Sequence, residues 1–271
     1  MKTKWVSAPY LVWMTVFIAV PLLMIAVFAF TTNDGEFTVK NIQDVGQYAN
    51  IFFRSIWLSV IATAICLVVA YPVSFILSRM EKHKQATMLM IVMLPMWMNF
   101  LLRTYAWMGL LSVNGPVNAV LGVFGLGPYT MLNTSGAVVL GMVYNYIPFM
   151  ILPLYTTMCK IGNDVIEAAQ DLGGNTFQVM ARVVVPLSLP GVSTGITMVF
   201  VPCVSTFYIT QKLGGGQVVL VGDVIETQFQ SANNYNLGAA LSLVLMVLIL
   251  ICLGVMNHFG ADDSSDGGVI V

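Results

Sequence analysis

The chain has 271 residues, 58% of them hydrophobic and only 8% charged, where an ordinary soluble domain carries roughly 25% charged residues; a water-soluble globule is excluded. Eleven Lys and Arg against 12 Asp and Glu leave a net charge of −1, too small and too dispersed for a nucleic-acid surface. Each helical crossing of hydrocarbon takes about 20 apolar residues, so a chain this apolar is expected to cross a membrane several times.

A charge inside hydrocarbon is costly, so the stretches free of Lys, Arg, Asp and Glu outline the spans. They run from Trp5 to Asn33, Ser55 to Ser78, Gln85 to Leu102, Thr104 to Cys159, Val183 to Gln211 and Thr227 to Ala261. The fourth is too long for one helix. Its middle carries Asn114-Gly115-Pro116, Gly125, Gly127-Pro128 and Asn133-Thr134-Ser135-Gly136, turn signals that mark a connector outside the membrane. Six helices are predicted, near residues 8–30, 56–78, 87–110, 137–158, 188–210 and 238–257. They make an all-α membrane domain over 1–258, with outer loops 31–54, 112–136 and 211–236, an inner loop 160–186 and a flexible acidic tail 259–271 holding Asp262, Asp263 and Asp266. The apolar run after Lys2 and Lys4 is too long for a signal peptide and is read as the first span.

Basic residues are retained on the cytoplasmic side. With both termini inside, Lys2, Lys4, Arg79, Lys82, Lys84, Lys160 and Arg182 are cytoplasmic, and Lys40, Arg54, Arg103 and Lys212 lie outside or near the outer ends, seven against four. Cys66, Cys159, Cys203 and Cys252 lie in or beside apolar runs without C-x-x-C spacing, and are expected to be inert packing residues with neither disulfide nor metal.

The inner loop reads as two short helices with a break. Asp164 and Glu167 have capping-box spacing, Val165, Ile166, Ala169 and Leu172 form an apolar stripe, and Gly173-Gly174 suits a helix stop. Asn175 and Gln178 repeat the start signal, and Phe177, Met180, Ala181 and Val184 continue at helical spacing to Pro186. Such a loop could lie on the bilayer or pad the bundle, while the thin wall of Ala168 and Ala169 would let another protein's groove approach closely. The full pattern is more specific: Glu167-Ala168-Ala169, three residues, Gly173, nine residues, Val183, one residue, Val185-Pro186. It resembles the E-A-A-x3-G-x9-I-x-L-P loop of inner-membrane permease subunits of binding-protein-dependent ABC importers, with Val for the usual Ile and Leu. The runs Pro95 to Trp107, Gly141 to Met150, Pro186 to Gly191 and Gly222 to Phe229 look like spermidine/putrescine permease subunits, closer to the B-type than to its C-type partner.

The resemblance implies a type I ABC importer permease fold in the bacterial inner membrane, with Glu167 to Gly173 as a coupling helix seated in a cleft of an ATPase subunit. It also implies the partners: a homologous second permease, a dimer of cytoplasmic ATPases and an extracytoplasmic polyamine-binding protein. No Gly-x4-Gly-Lys-[Ser/Thr] loop occurs in the sequence. ATP and Mg are therefore expected on the partner ATPase, with no cofactor and no catalysis in this chain.

Two clusters are physically suited to an ammonium chain in transit: Trp97, Asn99, Tyr105 and Trp107, and Tyr144, Asn145 and Tyr146. The plainer alternative, which the residues taken one by one favour, is an interfacial aromatic belt for the outermost rings and helix packing for Asn99 and Asn145. Arg103, a charge in the outer half of the third helix, is a functional candidate that could instead snorkel outward. Pro95, Pro148, Pro153 and Pro202 would leave backbone carbonyls for another helix, Ser205 or Thr206, or a water-lined path to satisfy, kinks that suit either a rocking bundle or plain packing. Beyond Lys212-Leu-Gly-Gly-Gly-Gln217, a flexible hinge, Asp223 and Glu226 stand three apart on a short helix, either as a solvated face or as an outer mouth; Asp34, Glu36 and Asp44 add negative charge on that side. The alternatives kept open are an importer for another solute and an ion-coupled carrier. A carrier would place Asp, Glu or His near the midplane, and an enzyme is disfavoured because His83 and His258 lack an acidic or thiol partner at an obvious spacing.

Overall fold

The computed structural model describes residues 8–32 and 35–261. Lys2, Lys4, Asp34, Asp262, Asp263 and Asp266, named above, lie outside the described residues. Within them the chain is all-α: the single β-bridge, Thr31 with Phe37, belongs to no strand. Helix α1 joins Ala8–Met14, a π-helical turn Thr15–Ala19 and Val20–Ala29; α2 is Lys40–Val45, α3 Ala49–Arg79, α4 Lys82–Trp97, α5 Phe100–Leu111, α6 Pro116–Val123 and α7 Ser135–Met158. Then come α8, Asn163–Asp171; α9, the continuous rod Thr176–Val204; α10, Tyr208–Leu213; α11, Val221–Gln230; and α12, Tyr235–Ala261.

Six segments are long and apolar enough to cross a membrane: Val12–Ala29, Lys40–Arg79, Phe100–Val123, Ser135–Met158, Thr176–Val204 and Tyr235–Val255. The third is displaced from the single helix expected over 87–110. Pro95 stands in the last turn of α4, Met98 is extended (ψ 147°), and the Asn99 side chain caps a new helix by accepting from the Leu101 N–H at 2.8 Å. Proline removes a backbone donor and crowds the preceding turn, and asparagine is a strong N-cap, so the two residues together cut the helix. The fifth helix also differs. It starts earlier, absorbing the second inner-loop helix through a π-helical turn Met180–Val184, and stops at Val204 rather than running to 210.

α7 is the central post. Met142, Met150, Leu154 and Met158 are fully buried against Ala62, Cys66 and Ala70 of α3 and Val199 and Cys203 of α9. Lipid tails are as apolar as these side chains, so close approach of small residues holds such helices together; a Cβ on Gly191 of α9 would stand 2.7 Å from Thr157 Oγ1 and 2.9 Å from the Pro153 carbonyl. A second cluster joins α1, α11 and α12 through Ala29, Val221, Ala239, Ala240 and Leu241.

Polar side chains tie each end of the bundle. At one face Asn236 donates to the Phe28 carbonyl at 3.1 Å and to Thr31 O, Asn41 donates to Ala29 O and Thr31 O, and Arg54 reaches Gln217 O and Ser135 Oγ, both at 3.4 Å. Those two acceptors explain why α3 extends seven residues beyond its expected start and takes Arg54 into its first turns. At the opposite face Arg79, ending α3, donates to Ile161 O at 2.9 Å, Asn163 Oδ1 at 2.6 Å and Met158 O at 3.4 Å. Helices α3 and α7 therefore run parallel, and α8 lies on the face where they both end. Cys159, expected as a packing residue, is exposed just beyond the end of α7; Cys66 and Cys203 are buried.

Candidate functional site

The segment 160–186 presents α8 at the bundle end. Its start is not the expected Asp164–Glu167 box: Gly162 occupies the N-cap without a side-chain bond, and Asp164 sits in the first turn. Arg79 holds the side chain of Asn163, which moves the helix start one residue upstream of Asp164. The second box is present as read, with Asn175 Oδ1 accepting from Gln178 N at 2.8 Å and Gln178 Oε1 from Asn175 N at 3.0 Å. Between them Gly173 has φ +85°, its N–H bonded to Gln170 O at 2.8 Å, and Gly174 N bonds Ala169 O at 3.1 Å. This is the left-handed helix stop that glycine adopts without penalty.

Glu167 and Ala168 are exposed and Ala169 is half-buried. Leu172 is 90% exposed and Phe177 80%, two large apolar side chains without cover beside a cleft of about 320 Å³ lined by Ala169, Gly173, Gln178 and Arg182. Pro186 is exposed in the first turn after the π-helical turn, inside the continuous α9 rather than at a helix boundary.

At the other end α9 breaks. Pro202 stands two residues before the end of the helix, Ser205–Phe207 are unwound, and α10 follows. Gly222 of α11 fits against this break, since a Cβ there would lie 2.5 Å from Thr206 O and 2.6 Å from Ser205 O. Beside it opens a cleft of about 400 Å³ lined by Phe100, Leu101, Tyr146, Pro202 and Ser205 to Tyr208.

The aromatic candidates separate into groups. Trp107 and Tyr144 meet edge to face at 5.3 Å, Tyr146 lines the cleft at the break, and Tyr105 stands edge-on to Tyr208 at 6.5 Å. Trp97 joins none of these and is 79% exposed, while Asn99 is engaged as a helix cap. Asn145 is buried and donates to Gly141 O of its own helix at 2.8 Å, leaving Oδ1 without a partner.

Asp223 does not sit on a solvated face. It is 7% exposed, its Oδ2 accepts from the Leu220 N–H at 2.8 Å at the start of its own helix, and Oδ1 lacks a partner. Burial pushes its carboxyl up to about 6, against smaller lowering by the Leu220 N–H and Thr210. Glu226 is the accessible member of the pair and accepts from Gln211 Nε2 at 2.9 Å. Arg103 does not snorkel outward: it is 8% exposed, lies 5.9 Å from the Phe100 ring, and has Nε and Nη1 without partners. The segment expected as a hinge is also tied down: Gly214 N donates to Thr210 O at 2.7 Å, Gln217 N to Gly214 O at 2.9 Å, and Asn133 N to Leu213 O at 2.8 Å.

The sequence does not single out Tyr208, which lies in a charge-free gap that reads as helix to 210, and it marks Lys212 only by its charge and as the start of the glycine hinge. Pro202 was the one local signal of the break.

No family model matches the chain. It is 38% identical over 251 residues to the spermidine/putrescine transport system permease protein PotB of Haemophilus influenzae, covering 89% of this chain and 88% of that protein. To PotB of Escherichia coli it is 32% identical over 247 residues, covering 88% and 90%. Among solved structures it superposes, with a TM-score of 0.80 at 16% identity over 94% of this chain and 93% of the other, on a chain of a bacterial ABC transporter involved in the import of the acidic polysaccharide alginate.

Proposed function

The chain belongs to the spermidine/putrescine transport system permeases of ABC importers, and on that premise we propose that it forms half of a polyamine path across the bacterial inner membrane, completed by a second, homologous permease. The face carrying α8 is cytoplasmic, with both termini on that side, as the Lys/Arg bias implies. Helix α8, from Glu167 through Ala168 and Ala169 to Gly173, seats in a cleft of one subunit of an ATPase dimer. That partner binds ATP and Mg and hydrolyses the nucleotide; this chain moves in response. An extracytoplasmic polyamine-binding protein delivers the cargo at the opposite face, where the accessible Glu226, rather than buried Asp223, supplies negative charge at the mouth.

What carries this reading is the 38% identity, over nearly the whole chain, to a relative named for spermidine and putrescine. The geometry agrees with it. Leu172 and Phe177 are left uncovered where a partner's groove would receive them, and helix-in-groove docking uses such apolar anchors. From Thr176 to Val204 the rod is unbroken, so a displacement at α8 reaches the break at Ser205–Phe207. Tyr105, Trp107, Tyr144 and Tyr146 offer ring faces, each worth about 0.5–2 kcal/mol to an ammonium, weak enough together to release a polycation.

The test is the assembled complex in liposomes, with ATP on the ATPase side and labelled spermidine with its binding protein on the other. ATP-dependent uptake competed by putrescine is expected. Uptake of sulfate or an acidic sugar with none of spermidine would overturn the cargo assignment and leave the importer assignment standing.

A further inference from the structure

We infer that Tyr105 and Tyr208 form a clamp for the terminal ammonium of the polyamine, and that Lys212 occupies this clamp in the resting protein as a tethered stand-in for the cargo. This rests on the polyamine reading above. The Lys212 ammonium lies 5.4 Å from the Tyr105 ring centroid and 5.6 Å from that of Tyr208, and the two rings are set at 82° to each other. Besides the two rings, the ammonium has the Tyr105 hydroxyl within its reach. Among the described residues the only ion pair is Lys84 with Glu81; of the two carboxylates on α11, Asp223 is buried and bonded to Leu220 N, and Glu226 is engaged by Gln211. A cation held by ring quadrupoles and a neutral hydroxyl is held without the carboxylate that would make release slow.

A lysine side chain is four methylenes ending in a primary ammonium, which matches the tetramethylene chain and one ammonium of putrescine and the aminobutyl arm of spermidine. A site that accepts Lys212 therefore accepts the end of the cargo with the same contacts, in competition with the tethered lysine. Tyr208 also lines the cleft at the break of α9, so an ammonium bound between the rings stands at the entrance to that space. Arg103, two residues before Tyr105 on α5, lies about 200° around the helix from it, so its charge does not share the clamp.

The clamp is also placed to open. Tyr105 belongs to α5, whereas Tyr208 and Lys212 follow the unwound Ser205–Phe207 at the end of the rod whose other end carries the coupling segment. Movement of α9 relative to α5 separates the two walls. In the resting protein the lysine fills the site and its positive charge discourages stray cations from entering.

The test uses the assembled complex in liposomes, matched for amount, with spermidine varied at a fixed, saturating amount of binding protein. Lys212→Met removes the competing ammonium and keeps the length; half-maximal uptake should fall to about one-fifth of the wild-type spermidine concentration, a tethered competitor having an effective concentration up to the millimolar range. Tyr208→Leu should raise it several-fold and Tyr208→Phe, which keeps the ring, should not. In the double variant Lys212→Met, Tyr208→Leu the gain from losing the lysine should vanish, an outcome that a purely structural role for either residue would not produce. Wild-type uptake of spermidine together with an unchanged half-saturation in Lys212→Met would overturn the clamp while leaving the polyamine reading intact. No spermidine uptake by the wild type would sink both. If Tyr208→Leu fails to assemble, Lys212→Met and Tyr208→Phe decide the matter.

Discussion

Replacing Gly173 with valine should disconnect ATP hydrolysis from transport without unfolding the protein. The residue has φ +85°, and a Cβ added there meets nothing within 4 Å, so the cost lies in the backbone rather than in a clash. A left-handed conformation costs an L-residue about 1–2 kcal/mol, and a β-branched residue belongs at the upper end. α8 has only nine residues, too few to be stable alone, so a shift of this size changes the population of its capped form by about 5- to 30-fold. Asparagine tolerates this region far better. In nanodiscs, amide exchange over 168–174 should quicken about 10-fold in Gly173→Val and change little in Gly173→Asn, and spermidine moved per ATP hydrolysed should fall only in the valine variant. Equal damage from Asn and Val would refute the reasoning, because it would mean that the partner's groove, and not the left-handed turn, demands glycine here.

Two further outcomes follow from the tie points. The carboxyl of Asp223 is pushed up to about 6 by burial, so its protonated form is the one the fold favours: that contribution is complete below about pH 4, the ordinary carboxylate value, and is lost as pH rises through 6. The purified complex should melt higher at pH 5 than at pH 7.5 by an increment of about 1 kcal/mol, and Asp223→Asn, whose Oδ1 can still accept from Leu220 N, should flatten that slope; an identical slope in the variant would remove Asp223 as its source. Arg79 clasps Met158 O, Ile161 O and Asn163 Oδ1, charge-assisted bonds of about 1.5–3 kcal/mol each when well made. Arg79→Ala should speed exchange over 158–165 and lower transport per ATP, with Arg79→Lys intermediate because one ammonium cannot span the same acceptors; unchanged exchange in the alanine variant would show that the clasp does not position α8.

The sequence by itself determined the class of molecule, the count of long apolar helices and the helix-break-helix form of the inner loop. Those features rest on properties each residue carries alone or with near neighbours: the cost of a charge in hydrocarbon marked the gaps around α1, α3, α7, α9 and α12, Gly173 announced a helix stop, and Asn175 with Gln178 a helix start. Only the tertiary structure decided which side chains are enclosed and which rings face each other. Asp223 reads as a surface residue because its neighbours in the chain include Glu226, Thr227 and Gln228, yet α11 turns it inward. Arg103 reads as able to reach the membrane surface, yet α5 is enclosed on the side that carries it. The approach of Lys212 to Tyr105 joins residues 107 positions apart (212 less 105), and depends on a break at Ser205–Phe207 that redirects α10. Burial and ring-to-cation geometry depend on the angles at which helices meet, and no local pattern encodes those angles.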